Sequence, residues 1–243
     1  MLNSFTSSFQ FGRRNIIDFT KSGLILYYDP SNADSYPGSG TTINSLVSPN
    51  LSGTLSNITY TSPAFNYGGN SYVSIADNSS LEPGSGSWTM EAWFNVSSAS
   101  TSGVILGKFD NGGLAQNVSY SIRYNTSRSL VAQFSNGSPS TFVESSSYTF
   151  SLNTWYQVVY VWTNSGLTKT IDTYINGSLI GTVNHTFASI LNSTNPLYLG
   201  SYNGGEYSQY VTGKIGVTRL YNRSLNSAEV AQNYNNDKSR FGL

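Results

Sequence analysis

Short β-branched and aromatic runs, separated by Gly/Asn/Ser/Pro clusters and almost free of helical periodicity, predict an all-β fold for this chain. The class is a two-sheet antiparallel jelly-roll sandwich with one short C-terminal α-helix. At 243 residues the chain is long for one domain, but sandwiches reach this size as a single unit. We therefore expect one body, residues 22–234, between an N-terminal arm, 1–21, and a C-terminal tail, 235–243.

Composition supports folding without much charge. Only 10% of residues are charged, against roughly a quarter in an average soluble chain, so Ser, Thr, Asn, Gly and Tyr must clothe the surface. Aromatic residues, at 14%, supply apolar area enough for a core. Twelve basic residues balance twelve acidic ones, and Arg13-Arg14 is a pair rather than a patch, so nucleic acid and anionic membranes are not expected partners. No cysteine is present, which removes disulfides, thiolate metal sites and a cysteine nucleophile together. The opening residues do not read as a leader and no apolar run reaches the roughly 20 residues of a membrane span, so synthesis in a cytoplasm without export is expected.

Taken in order, the predicted strands are 24–29, 72–75, 88–96, 104–109, 120–124, 130–134, 155–162, 171–175, 197–199 and 214–221. Within 88–96, period-two alternation sends Trp88, Met90, Ala92 and Phe94 to one face and Thr89, Glu91, Trp93 and Asn95 to the other. The run 156–162 is apolar on both faces and belongs to a central strand covered on both sides. Asn176-Gly177 supplies the two positive-φ residues of a type I′ turn, so 171–180 is a hairpin. Asn226-Ser227-Ala228-Glu229 reads as a capping box, and Val230, Ala231 and Tyr234 follow at helical spacing; a helix of two or three turns starts there.

Catalytic constellations are scarce. His185, the single histidine, lies in a polar edge segment with neither metal partners nor a triad nearby in sequence and reads as a surface residue. No serine sits in a Gly-x-Ser-x-Gly elbow. Jelly-roll glycosidases carry paired carboxylates at alternating positions of one strand; here Glu91 is followed on its face by Trp93 and Asn95, and Asp172 is equally isolated. Loops Asp77-Asn78 and Asp110-Asn111-Gly112-Gly113 each offer oxygen ligands to calcium, yet the same residues are ordinary turn formers, so no metal or other cofactor is assigned.

Binding residues are easier to nominate. Tyrosines in Gly/Ser/Asn loops give large contact area at low entropic cost, which makes Tyr36, Tyr202 and Tyr207 candidates for stacking on sugar or for a protein interface. Phe5, Phe9, Phe11 and Phe19 crowd a short polar arm with Arg13 and Arg14 and need cover, either from the chain's own sandwich or from another subunit.

Several segments carry a family likeness: Gly23-Leu24-Ile25-Leu26-Tyr27-Tyr28-Asp29-Pro30, Trp88-Thr89-Met90-Glu91-Ala92-Trp93-Phe94, Tyr174-Ile175-Asn176-Gly177, and the ending from Arg219 to Val230. From residue 23 onward the chain resembles concanavalin-A-like, laminin-G-like jelly rolls of tailed-bacteriophage virions. That resemblance implies a non-enzymatic virion structural protein, a capsid decoration or head fibre in an oligomeric assembly. Phe9, Phe11, Arg13 and Arg14 would dock it on capsid protein. The alternative is a glycan-binding adhesin module using Tyr36, Tyr202 and Tyr207, and a glycosidase is the third reading.

Overall fold

The computed structural model describes residues 18–109, 118–137, 142–202, 204 and 208–243. The strands are β1 (Leu24–Tyr28), β2 (Thr42–Asn44), β3 (Ser52–Ser56), β4 (Thr59–Thr61), β5 (Ala64–Gly68), β6 (Tyr72–Ile75), β7 (Trp88–Ser98), β8 (Gly103–Phe109) and β9 (Val118–Tyr124). They continue with β10 (Ser129–Ser135), β11 (Phe142–Glu144), β12 (Tyr148–Thr149), β13 (Tyr156–Ser165), β14 (Thr168–Ile175), β15 (Ser178–Asn184), β16 (Leu197–Leu199) and β17 (Thr212–Tyr221), followed by helix α1 (Ser227–Asp237).

Two antiparallel sheets form the sandwich. The first runs β15-β14-β13-β7-β17-β5-β4; β17 is long enough for its first half to pair with β5 and its second half with β1. The second runs β11-β10-β9-β8-β16-β6-β3-β2, with β12 also on β10. Alternation decides what lies between them. Met90, Ala92 and Phe94 of β7 and Val158, Tyr160 and Trp162 of β13 face Tyr120 and Ile122 of β9 and Leu130, Ala132 and Phe134 of β10, all buried. Burying each of the Val, Leu, Ile, Met and Phe side chains among them contributes about 1.5–3 kcal/mol.

The other face of the first sheet is covered too. Trp93, Val159, Val161, Val217 and Tyr221 form a second apolar cluster with Leu225, Val230 and Phe241. This is why β13 is apolar on both sides. The cover is α1 and the 3-10 turn Lys238–Phe241 that extends it. Asn226 caps α1 as predicted: its side chain accepts from the Glu229 N–H at 2.9 Å and Glu229 Oε2 accepts from the Asn226 N–H at 3.0 Å. Trp93 then stacks on Phe241 at 4.4 Å and on Tyr234 at 5.8 Å. Gly216 admits the Phe241 ring, which would lie 2.7 Å from any Cβ placed there.

The expected boundary at 235 is therefore corrected. Residues 235–243 continue the helix and its turn, with Asp237 and Phe241 buried, because a basic partner and an aromatic partner await them on the sheet. The end of the N-terminal arm also folds back: Phe19 packs 4.8 Å from Tyr27, and the Thr20 N–H donates to Asn233 Oδ1. The β14–β15 hairpin turns on Asn176 (φ 50) and Gly177 (φ 77), as Asn-Gly requires. No described helix is long and apolar enough to cross a membrane.

Candidate functional site

Two of the three nominated tyrosines, Tyr36 and Tyr202, do not offer stacking surfaces. Tyr36 is 7% exposed, edge-on to Phe65 at 4.9 Å and to Tyr60 at 5.4 Å, and its hydroxyl donates to the Gly40 carbonyl. Tyr202 is 6% exposed with its ring 4.1 Å from Phe109. Both sit in loops, but loops that fold onto aromatic neighbours, where burying a ring outweighs exposing it. Tyr207, and with it Phe9, Phe11, Arg13 and Arg14, lies outside the described residues.

His185 is not a surface residue. It stacks on Trp162 at 3.6 Å, and Nε2 lies 3.0 Å from the Thr163 carbonyl; burial pulls its pKa below the ordinary value, partly offset by the backbone carbonyls beside it. Asp172 accepts from the Thr182 hydroxyl at 2.7 Å. Asp77, half of a proposed calcium loop, is committed to Lys108, whose buried ammonium also reaches Glu82 at 3.0 Å and the Asn195 carbonyl at 2.6 Å. The ammonium thus stands among oxygens as a tethered cation. The other loop, Asp110 to Gly113, lies outside the described residues. Among the described residues no three His, Cys, Asp or Glu gather as metal ligands.

Glu91 is sealed from substrate. It lies on the outer face of β7 beneath α1, fully buried, and accepts from Arg219 Nη1 at 2.8 Å, Gln157 Nε2 at 2.8 Å and Asn233 Nδ2 at 2.7 Å. Arg219 bridges on to Asp237 at 2.7 Å. Desolvation pushes the Glu91 carboxyl above its usual range, with Asp237 adding to the rise and Arg219 opposing it. The guanidinium between two carboxylates is held charged despite its own burial. This cluster fastens the helix to the sheet; the carboxylate that β7 offers is a structural one.

An open groove lies instead on the outer face of the second sheet. In β9, Tyr120, Ile122 and Tyr124 point inward, so Arg123 points out; in β10, Leu130, Ala132 and Phe134 point inward, so Val131 and Gln133 point out. Gln133 pairs with Glu144 of β11, which brings three planar polar groups into a row. Arg123 Nη1 donates to Gln133 Oε1 at 2.9 Å, and Gln133 Nε2 donates to Glu144 Oε1 at 2.7 Å. Gln133, itself buried, spends both ends of its amide on its two neighbours, while Arg123 and Glu144 each spend one edge on it and keep others for a ligand: guanidinium N–H groups and a carboxylate oxygen.

The surrounding residues complete a polar cradle of about 410 Å³. Asn125 Oδ1 accepts from the Ser127 and Ser129 N–H groups at 2.9 and 3.0 Å, which turns its amide N–H groups outward. Phe142, 41% exposed, stands on the same face of β11 two residues from Glu144. Sequence reasoning missed this row. The inward alternation of Tyr120, Ile122 and Tyr124 was the available signal for Arg123, but the partners depend on strand register.

The binding domain of botulinum neurotoxin DC, solved in complex with rat synaptotagmin II, superposes with a TM-score of 0.66 at 15% identity, covering 88% of this chain and 51% of that one. A botulinum neurotoxin type C structure, whose cell entry is described as dependent upon interaction with two ganglioside molecules, gives 0.65 at 13% identity over 88% and 51%. Trypanosoma rangeli sialidase in complex with the inhibitor DANA gives 0.63 at 14% identity over 88% and 33%. The chain thus spans about half the length of the toxin chains and a third of the sialidase. At these identities the likeness is one of fold. No match is found among curated proteins. Residues 67–231, about two thirds of the chain and all of strands β6 to β17, match one family directly: the chain belongs to the laminin-G-like branch of the concanavalin A-like lectin/glucanases superfamily.

Proposed function

We propose that the protein is a carbohydrate-binding module whose ligand lies along the β9–β11 groove. The observation that carries this reading is the Arg123–Gln133–Glu144 row, three planar hydrogen-bonding groups oriented by one another in an open cradle. Such groups match the paired donors and acceptors of vicinal sugar hydroxyls, and Phe142 offers an apolar face beside them. Toxin binding domains with the same fold support a binding role. Hydrolysis is the weaker reading, because Glu91 is occupied by Arg219 under the helix. Capsid decoration rests on the virion resemblance and on Phe9, Phe11, Arg13 and Arg14, so the described residues lend it no support of their own.

Gln133→Ala, with Arg123→Ala as a second variant, tests the proposal by glycan array followed by calorimetric titration of the best hit. Each should weaken binding about tenfold, the cost of removing a hydrogen bond to a charged or oriented partner, with an unchanged far-ultraviolet dichroism spectrum. A hit that both variants bind as tightly as the wild type would refute this groove.

A further inference from the structure

A second concavity lies on the opposite side of the molecule, where the C-terminal cover of the first sheet ends. Trp93 is roofed by Phe241 and fully buried, but Asn95, two residues further along the same face of β7, is only half-buried. Register places Asn95 directly opposite Lys214 of β17, and Lys214 directly opposite Asn66 of β5. Their neighbours Phe94, Ile215, Phe65 and Tyr67 belong to the core between the sheets, so the three side chains share the outer face. Across three strands the row spans about 10 Å. With Ser97 and Asn153 it lines a depression of about 310 Å³.

The chemistry of this row differs from that of the first groove. There Glu144 stands in line with Arg123; here no carboxylate lines the depression, and among the described residues the Lys214 side chain has neither an ion pair nor a hydrogen bond. Asn66 is oriented from behind: its Nδ2 donates to the Thr59 and Thr61 hydroxyls at 3.3 and 3.1 Å, which leaves Oδ1 on the other edge of the amide. The half-buried Lys214 is therefore flanked by amides that bond hydroxyls, with the Ser97 hydroxyl and the Asn153 amide at the margin. An acidic peptide would need apolar contact to add to its charge, and apart from Lys214 itself and the buried Tyr67 the lining side chains are amides and a hydroxyl.

We infer that the Asn95–Lys214–Asn66 row is a second saccharide subsite selective for a sugar carboxylate, with the ammonium taking the carboxylate and the amides taking neighbouring hydroxyls. This rests on the saccharide reading of the protein but not on the first groove. The shared chemistry is the sugar carboxylate; uronate and sialate are its two sources.

The test uses the full chain carrying Arg123→Ala and Gln133→Ala, so that the first groove is disabled, titrated with digalacturonate, 3′-sialyllactose and lactose in a chelator-containing buffer. The inference expects one acidic probe to bind at least about tenfold more tightly than lactose, and the preference to vanish when Lys214→Gln is added. Which acidic probe binds names the source. Asn95→Ala should weaken the same probe without changing the thermal midpoint. Equal binding of all three probes, or an acidic preference that survives Lys214→Gln, would overturn the subsite; neither outcome touches the first groove, whose failure shows only in the wild-type background with neutral ligands.

Discussion

Stacking on Trp162 and a contact from Nε2 to the Thr163 carbonyl hold the His185 ring away from water, with Lys169 the charged side chain that bears on it. Desolvation lowers its pKa below the usual 6.5, and Lys169 lowers it further against the opposing pull of the Thr163 and Phe187 carbonyls. In the window just below 6.5 the unfolded chain binds a proton that the folded chain refuses, so the stabilisation is complete above that value and drains away as pH falls through the window. Urea midpoints followed by tryptophan fluorescence should decline from pH 7.5 to 5.5, at no more than about 1.4 kcal/mol per pH unit for one proton, and His185→Phe should flatten that decline. An identical slope in the variant would place the titration elsewhere. None of this was legible in Thr182-Val183-Asn184-His185-Thr186, a segment polar enough to suggest solvent. The same limit misplaced Tyr36 and Tyr202. Periodicity reports which face of a strand is buried, and residues in loops have no face until the chain has folded.

Elements with strong local signals were readable and polar ones were not. The capping box announced α1, and Asn226→Ala should lose the bond to the Glu229 N–H and cost about 1 kcal/mol in urea denaturation; a loss below a few tenths would mean that tertiary packing alone holds the helix start. The strands of the central sheets announced themselves through Val, Ile, Tyr and Trp at period two. By contrast β2 to β5, β11 and β12 are short; β2, β3 and β4 are rich in Ser, Thr and Asn, and β11 and β12 are only three and two residues long with no buried residue, so their sequences resemble the loops around them and only pairing to a neighbour makes them strands. The functional reading suffers from the same limit. Arg123, Gln133 and Glu144 come from three strands, and Asn66, Lys214 and Asn95 from three others. Each trio exists only through registers that a slip of one residue would turn to the opposite face.

At the scale of the whole molecule, the first sheet carries a helical roof, whereas the second has the Tyr202 loop packed on Val104, Phe109 and Val118 and a groove beside it, and the roof is made by the last residues of the chain. Arg219 could not sit fully buried on β17 without Glu91 on one side and Asp237 on the other, and Asp237 is delivered by the helix. Arg240 then ties the turn beyond it to Asp29, whose carboxyl, although raised by burial, is held below its usual range by the bonds and charge of Arg240 and by Ser31. Such a cluster is costly to assemble and far more costly to break, because a partner removed leaves a charge in the dark. A chain ending at residue 234 removes Asp237, Arg240 and Phe241 at once. It leaves Arg219 with Glu91 alone and strips the ring that covers Trp93. The expected loss exceeds about 3 kcal/mol, by analogy with a broken buried pair and a truncated core aromatic, and it should be accompanied by a red shift in tryptophan emission as water reaches Trp93. Equilibrium urea unfolding of the two lengths of chain measures it. If the shorter chain unfolded at the same midpoint with the same emission, residues 235–243 would be a tail after all, and the roof over the first sheet would end with Tyr234.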